Sequence, residues 1–261
     1  MIILSDTHTH LYAPEFDSDR DEMLRRAEQY GVKRFFLPNI DDTSIERLQQ
    51  MLKQYPHHCF GMMGLHPCSV NEQVDTQLEL IKAELDRNKY IAIGEIGIDL
   101  YWDKTFIEAQ KKAFKTQCLW ALERDLPVSI HCRNAINEIF QLLEELKTES
   151  YKDKSFKGIF HCFSGTKEEA QRLINYGFYL GIGGVLTYKN SGLAQVIADI
   201  DLKHLVLETD APYLSPVPMR GKRNEAAYLR FVAEKLAEIK QCSLFEVAEV
   251  TNQNSIHIFG V

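Results

Sequence analysis

Short apolar runs alternate along this chain with longer stretches in which apolar residues recur every three or four positions. The runs are mostly continuous rather than alternating, and they are rich in β-branched and aromatic residues. Strands buried on both faces of a parallel sheet have this pattern. The runs, which predict eight strands, occupy residues 1–10, 32–40, 59–67, 90–99, 127–133, 157–163, 179–184 and 204–212.

The stretches between the runs have the residue spacing of amphipathic helices. Gly31 and Gly177 stand where two of these helices should end, because glycine readily adopts the left-handed conformation that follows a helix. Thr43 and Thr166 are predicted N-caps, each with a glutamate three residues later that would complete a capping box.

Eight alternations of strand and helix predict a (β/α)8 TIM barrel, and two helical stretches after residue 212 add extra C-terminal helices. A doubly wound open sheet is the structural alternative. A length of 261 residues is ordinary for one barrel, so we expect a single domain over residues 1–261.

Composition narrows the class of protein. With 45% hydrophobic and 26% charged residues, the chain has the composition of a soluble globular protein. No apolar run is long enough for a membrane span and no signal peptide precedes Asp6, so we expect no membrane partner. The six cysteines have no disulfide-framework spacing, which favours a cytoplasmic location.

A net charge of −7 argues against binding a long nucleic acid by bulk electrostatics. It does not exclude a local phosphate site that carries metal ions, because a bound cation can be the largest local charge.

Titratable side chains gather at the ends of the predicted strands, where barrel enzymes carry their chemistry. These residues are Asp6, His8, His10, His66, Glu95, Asp99, His131, His161, Glu208 and Asp210. In the HTH segment, His8 and His10 alternate along a predicted strand and should face the same side. The histidines, rather than the cysteines that follow two of them, therefore indicate a metal site.

Each of these residues has a plainer interpretation when taken alone. An HxH pair is often satisfied by backbone hydrogen bonds, and Glu95 could form a buried salt bridge with Arg133. Asp210 could be a turn residue before a proline. As functional groups, Glu95 would bind metal, and Asp210 would bind metal and take a proton from a metal-activated water. Glu208 should project to the side of Asp210 and support the ligands.

Four histidines, one glutamate and one aspartate exceed the needs of one tetrahedral ion. They suit two divalent ions about 3.5–4 Å apart, which would clamp the attacking and leaving oxygens of a phosphodiester. Zn, Mn and Mg remain open, although Mg prefers oxygen ligands.

Cationic residues follow the last run. Arg220, Lys222 and Arg223 are candidates for binding phosphate. The alternative is a solvated loop before a helix.

Further candidate substrate-binding residues follow other runs. Arg133 shares the side of His131 and is expected to reach a phosphate, while His66 either positions substrate or ends its strand. Tyr101 and Trp102 either stack a nucleobase or pack against the protein.

An ordered set of segments from Asp6 to Glu225 resembles the TatD family of metal-dependent hydrolases. The segments are DTHTHL, GLHP, GEIGIDLYWD, HCRNA, HCFSG and ETDAPYLSPVPMRGKRNE. The resemblance implies a TIM barrel of the amidohydrolase type and a divalent-metal-dependent deoxyribonuclease, usually a 3′→5′ exonuclease. The metal ligands it implies are His8, His10, Glu95, His131, His161 and Asp210. It also implies that Glu95 bridges the ions and that Asp210 acts as base.

Three positions depart from the family pattern. Asn134 stands where an aspartate is common, Met219 where a histidine is common, and Ala226 where a proline is common. None is a predicted ligand, so the departures concern substrate preference.

The resulting prediction is a deoxyribonuclease that acts on single-stranded DNA ends as a monomer or weak oligomer. One alternative keeps the metals and hydrolyses another ester, such as D-aminoacyl-tRNA, or a small-molecule amide. No lysine ends a strand where a carboxylated bridging lysine could lie, which disfavours the amide. A second alternative is a non-catalytic nucleic-acid-binding protein, which the intact ligand set and the charge of −7 disfavour.

Overall fold

The eight apolar runs form eight parallel strands in a computed structural model, which describes residues 2–148 and 155–261. The strands are β1 (Leu4–Asp6), β2 (Val32–Pro38), β3 (Cys59–Met63), β4 (Ala92–Asp99), β5 (Val128–Arg133), β6 (Gly158–Phe160), β7 (Phe178–Ile182) and β8 (Leu205–Leu207). Each strand pairs with the next along the chain. This consecutive order confirms the TIM barrel and excludes the doubly wound sheet, whose strand order reverses.

The prediction of one domain over residues 1–261 stays a prediction. Met1, which begins the first predicted run, and residues 149–154 lie outside the described residues.

Hydrogen bonds between the first and last strands nearly close the barrel. The backbone N–H of Thr7 donates to the carbonyl of Leu207 at 3.0 Å. The buried carboxylate of Asp6 accepts from the backbone N–H and the hydroxyl of Thr209 at 2.8 and 2.6 Å. Burial raises the pKa of Asp6 well above 3.8 despite these hydrogen bonds. Asp6 therefore ties the start of the barrel to the segment that carries Asp210.

The amphipathic stretches form helices around the barrel. The helices in the described residues are α1 (Arg20–Gln29), α2 (Ile45–Gln54), α3 (Val74–Arg87), α4 (Ile107–Arg124), α5 (Ile136–Thr148), α6 (Lys167–Asn175), α7 (Leu193–Ala198), α8 (Leu229–Lys240) and α9 (Leu244–Phe259). No helix in these two described ranges is both long and apolar enough to cross a membrane.

The predicted helix ends are confirmed at three positions and wrong at one. Gly31 and Gly177 follow α1 and α6 with φ values of 88° and 97°, and Thr166 forms its capping box at the start of α6. Thr43 is not an N-cap. Its place is taken by Asp41, whose carboxylate accepts from the backbone N–H of Thr43, because a 3₁₀ turn precedes α2.

Helix α9 closes the end of the barrel opposite the predicted site. Asn254 donates to the carbonyls of Leu202 and Leu205, which lie where β8 begins. Phe259 packs on Phe36 of β2 with ring centroids 4.5 Å apart. The barrel interior is filled from this end by an apolar cluster that includes Phe36, Ile258 and Phe259.

The close approach of β4 and β5 predicts a large cost for a side chain at Gly97. A Cβ atom there would lie 1.9 Å from the carbonyl oxygen of His131, and the φ of 151° also disfavours other residues. We expect Gly97→Ala to lower the free energy of unfolding by about 3 kcal/mol, as measured by urea denaturation.

Gly192→Ala is the matched control, because Gly192 has a φ of 71° and nothing lies within 4 Å of its added Cβ. It should cost only about 1 kcal/mol. Equal losses in the two variants would contradict the role of strand contact at Gly97.

Candidate active site

Glu95 of β4 lies at the centre of a cluster of histidines at the carboxyl ends of the strands. Its side chain is only 3% exposed. Its oxygens lie 3.2 Å from Nε2 of His8, 3.6 Å from Nε2 of His10, 3.3 Å from Nε2 of His66, 2.9 Å from Nδ1 of His131 and 3.2 Å from Nε2 of His161. The alternative salt bridge to Arg133 is wrong, because histidines occupy the positions around the carboxylate.

His8 and His10 converge as expected, but alternation along a strand does not bring them together. Strand β1 ends at Asp6, so the HTH segment follows the strand and strand alternation does not govern it. Both rings nevertheless direct Nε2 at the same oxygen of Glu95. Asp210 completes this side of the site, with an oxygen 3.9 Å from Nε2 of His8 and 3.6 Å from Nε2 of His10.

Hydrogen bonds fix the tautomer of His10. The hydroxyl of Tyr12 donates to the carbonyl of Pro38 at 2.6 Å, so its oxygen must accept from Nδ1 of His10 at 3.1 Å. A neutral His10 therefore directs the lone pair of Nε2 towards Glu95 and Asp210. This is the form of imidazole that binds a metal.

His66 has the opposite tautomer. The backbone N–H of Cys68 donates to its Nδ1 at 3.0 Å, so a neutral His66 carries its proton on Nε2. That N–H points at Glu95 from a distance of 3.3 Å. His66 is consequently arranged as a hydrogen-bond donor rather than as a metal ligand. Its Nδ1 caps the 3₁₀ turn that follows β3, as the strand-end alternative expected, and its role in positioning substrate stays a prediction.

Carboxylates contact the outer nitrogens of His131 and His161. Nε2 of His131 contacts Asp99 at 2.9 Å, so that ring presents Nδ1 to Glu95. Nδ1 of His161 lies 3.3 Å from Glu208, which also accepts from the backbone N–H of Cys162. Such carboxylate–histidine pairs orient metal ligands and raise their basicity.

The charges of the cluster are strongly coupled. Burial alone would raise the pKa of Glu95, but the surrounding imidazoles hold it well below 4.5. Burial and the charge of His161, stacked 3.7 Å away, lower the pKa of His8. Burial also opposes protonation of His131 and His161, yet Glu95 with Asp99 or Glu208 raises the pKa of each above 6.5. Glu95 and its neighbouring carboxylates thus favour the protonated forms of His131 and His161, whereas burial and His161 disfavour that of His8.

The donor set fits divalent metal ions. Three groups have ligand atoms within 4.8 Å of one another: His8 with His10 and Glu95, His66 with Glu95 and His131, and His8 with His161 and Glu208. Glu95 belongs to two of them, although the proton on Nε2 of His66 suits that ring to donating rather than to binding a cation. Nδ1 of His161 and Oε2 of Glu208 are buried without a hydrogen bond, so the cluster is not satisfied by protein groups within the described ranges.

The predicted cationic residues differ in their exposure and in their contacts. Arg220 lies over the ring of Tyr188 at 4.2 Å, and Lys222 is exposed. Arg223 pairs with both carboxylate oxygens of Asp19 at 2.7 and 2.8 Å. Arg133 stacks on Tyr101. The structure thus leaves Arg133, Arg220 and Lys222 facing solvent and engages Arg223 within the protein.

Sequence reasoning did not assign the partners of the histidines. Ser129 contacts Nδ1 of His8 at 3.0 Å, and Tyr12 and Asp99 hold His10 and His131. The available signal was strand alternation, because Asp99 lies four residues after Glu95 on the same face of β4. Glu208 was expected to support the ligands, and it contacts His161.

An eight-stranded parallel barrel that gathers imidazole and carboxylate donors around one buried glutamate defines a metal-dependent hydrolase. The chain belongs to the TatD related DNase family, whose model matches residues 5–260. The resemblance read from the short segments is therefore confirmed.

Similar proteins cover the chain from end to end. The metal-dependent hydrolase YabD of Bacillus subtilis is 36% identical over 260 residues, which are 99% of this chain and 100% of that one. A protein of Citrobacter rodentium named 3′-5′ ssDNA/RNA exonuclease TatD is 32% identical, covering 98% of this chain and 97% of its own. The crystal structure of the TatD homologue YjjV of Escherichia coli superposes with a TM-score of 0.89 at 31% identity, covering 99% of this chain and 98% of that one.

The contact between Asp99 and His131 predicts a role for Asp99 in metal affinity. Burial would raise the pKa of Asp99, but His131 and the N–H of Tyr101 lower it to about 2, so it is a full negative charge. Asp99→Asn should weaken metal binding about tenfold or more, as measured by titration calorimetry. Asp103→Asn, an exposed change in the same loop, is the control. Equal affinities in the two variants would contradict this role.

Metal binding should depend on pH. Because the pKa values of His131 and His161 are raised above 6.5, their protons must leave before their nitrogens can bind a cation. We expect Zn²⁺ affinity to rise from pH 6 to pH 8, by about tenfold per pH unit for each proton released. Calorimetry in buffers of different ionisation enthalpy counts these protons. An affinity that stays constant over this range would contradict the expectation.

Proposed function

We propose that this enzyme is a divalent-metal-dependent deoxyribonuclease that removes nucleotides from single-stranded DNA ends in the 3′→5′ direction. The observation that carries the proposal is the buried carboxylate of Glu95 inside five imidazoles, with Asp210 beside it. Membership of a family described as DNases, and a relative named as a 3′-5′ exonuclease, support the phosphodiester as the target.

In the proposal, two divalent ions are held by His8, His10, Glu95, His131, His161 and Asp210, with Glu95 between them. When bound, the ions supply positive charge for the reacting phosphate and lower the pKa of a water. The imidazole and carboxylate donors are compatible with Zn, Mn or Mg.

Asp210 is proposed as the general base. Burial would raise its pKa, but contact with His10 and the charges of His161 and His8 lower it below 3.8. Asp210 is therefore ionised at neutral pH and able to accept a proton. Its side chain is 14% exposed, against 3% for Glu95, which leaves it accessible to a water at the mouth.

Other residues bind the substrate in this proposal. The Nε2–H of His66 donates to a phosphate oxygen. The backbone N–H of Cys68 sets the tautomer of His66 that makes this possible. Arg133, Arg220 and Lys222 attract the strand from the mouth. Arg223 contributes through its bond with Asp19, which holds the loop after β8 against the segment that precedes α1.

We further propose a cytoplasmic enzyme that is a monomer or weak oligomer. The six cysteines are free, as expected for a reducing compartment.

The test uses chelator-stripped protein, a single-stranded DNA oligonucleotide labelled at its 5′ end, and Mg²⁺, Mn²⁺ or Zn²⁺ in turn. The expected result is a metal-dependent ladder that shortens by one nucleotide at a time. Asp210→Asn should lower the rate by about 10²–10⁴-fold, because it removes the base and one metal ligand. Asp75→Asn, an exposed change on α3, should leave the rate unchanged.

Intact DNA in the presence of bound metal, whichever ion is used, would overturn the nuclease proposal. An aminoacyl-tRNA incubated in parallel tests the other ester, because its deacylation without nucleotide release would assign the same site to that reaction.

A further inference from the structure

An aromatic corner made of Tyr101, Trp102 and Arg133 stands in the open beside the catalytic cluster. Trp102 is 73% exposed, more than any other large hydrophobic residue in the described ranges, and Tyr101 is 52% exposed. The alternative that these aromatics pack against the protein is therefore wrong. Tryptophan side chains are usually well buried, because burying their apolar surface stabilises the fold. The exposed side chain of Trp102 does not contribute to stability in this way.

The three side chains hold one another in place. The guanidinium of Arg133 lies 3.6 Å from the centroid of the Tyr101 ring and 5.4 Å from that of Trp102. The rings of Tyr101 and Trp102 meet at 89° with centroids 4.8 Å apart. The arrangement leaves the indole as a flat exposed face, with the phenol ring as a side wall.

The corner is attached directly to the catalytic cluster. Asp99 accepts from the backbone N–H of Tyr101 at 2.9 Å through one oxygen and contacts His131 at 2.9 Å through the other. The N–H of Leu100 donates to the carbonyl of Arg133 at 2.9 Å, which fixes the loop to the end of β5. A molecule resting on Trp102 would thus lie next to the strand ends that carry Glu95 and His131.

The guanidinium of Arg133 gives the corner a group that can bind an anion. Arg133 is exposed and forms no ion pair with a carboxylate in residues 2–148 and 155–261. Asp99 and Asp103 have partners of their own: Asp99 contacts His131, and Asp103 accepts from the backbone N–H of Thr105 at 2.8 Å. A flat aromatic face beside an exposed guanidinium matches an unpaired base and its phosphate.

We propose that the aromatic corner is a nucleobase subsite, in which an unpaired base stacks on Trp102 while Arg133 contacts the adjoining phosphate. Only a single strand can offer a base face in this way, so the corner selects single-stranded over duplex substrate. The inference rests on the proposed function for its biological substrate, but it can be tested without catalysis.

The first experiment measures binding with chelator present, so that no cleavage occurs. Labelled oligo(dT) is titrated by fluorescence anisotropy, and tryptophan emission is followed in parallel. We expect quenching in the wild type, because Trp102 is exposed whereas Trp120, the other tryptophan, is buried. Trp102→Ala should weaken binding about 5- to 100-fold, and Trp102→Phe should restore most of the affinity.

Tyr30→Ala is the matched control, because Tyr30 is 51% exposed but follows α1, at the end of the barrel where β2 begins. It should bind as the wild type does. Loss of affinity in Trp102→Ala through misfolding is recognised by a lowered unfolding midpoint and by failure of Trp102→Phe to restore binding.

A second experiment identifies the group that stacks. Oligonucleotides with one abasic position, moved along the strand, should reveal one position where the missing base weakens wild-type binding but leaves Trp102→Ala unchanged. Oligo(U) and thymidine monophosphate compared with oligo(dT) separate RNA, DNA and free nucleotide as sources of the base. Duplex DNA should compete poorly.

The outcomes separate this inference from the proposed function. Stacking and quenching without cleavage in any metal would support the subsite and overturn the nuclease. Cleavage with an unchanged KM in Trp102→Ala, and no quenching, would overturn the subsite and leave the nuclease. Wild-type binding that is insensitive to every abasic position would also overturn the subsite.

Discussion

The carboxyl end of this barrel depends on one buried charge, the carboxylate of Glu95. Moving an ion from water into a protein interior costs several kcal/mol of free energy, even after the protein relaxes. This cost is comparable to the whole free energy of unfolding of a typical domain. Five imidazole nitrogens within 3.6 Å offset that cost and hold the carboxyl group ionised. They come from β1, β3, β5 and β6 or the segments that follow them, so the site exists only when the barrel is nearly closed.

The imidazoles around Glu95 are oriented in turn by their own hydrogen-bond partners. An imidazole directs the correct nitrogen at Glu95 when its other nitrogen is held by a hydrogen bond, as it is in His8, His10, His66 and His131. A phenol, a backbone N–H and a carboxylate give His10, His66 and His131 three different proton arrangements around one charge. Two of these rings suit a metal, and the third suits a hydrogen-bond acceptor.

The contacts that join β1 to β8 also position residues of the site. Asp6 binds Thr209 through both oxygens, and Thr209 stands between Glu208 and Asp210. The bond that joins the first strand to the last therefore also sets the two carboxylates at the end of β8. Helix α9 fills the other end of the barrel, where Asn254 and Phe259 contact the strands and their flanking segments.

The sequence by itself determined the eight strands, the barrel and the titratable residues at its mouth, because buried parallel strands and their polar ends are local patterns. The prediction of Thr43 as a cap before α2 was wrong, and so was the placement of His8 and His10 on a strand. The conformation of a turn depends on contacts with residues that lie elsewhere in the chain. Only the tertiary structure decided that Asp99 holds His131, that Arg223 binds Asp19 and that Trp102 lies exposed. Those contacts join residues up to 204 positions apart, and no local pattern specifies which distant partner a side chain reaches.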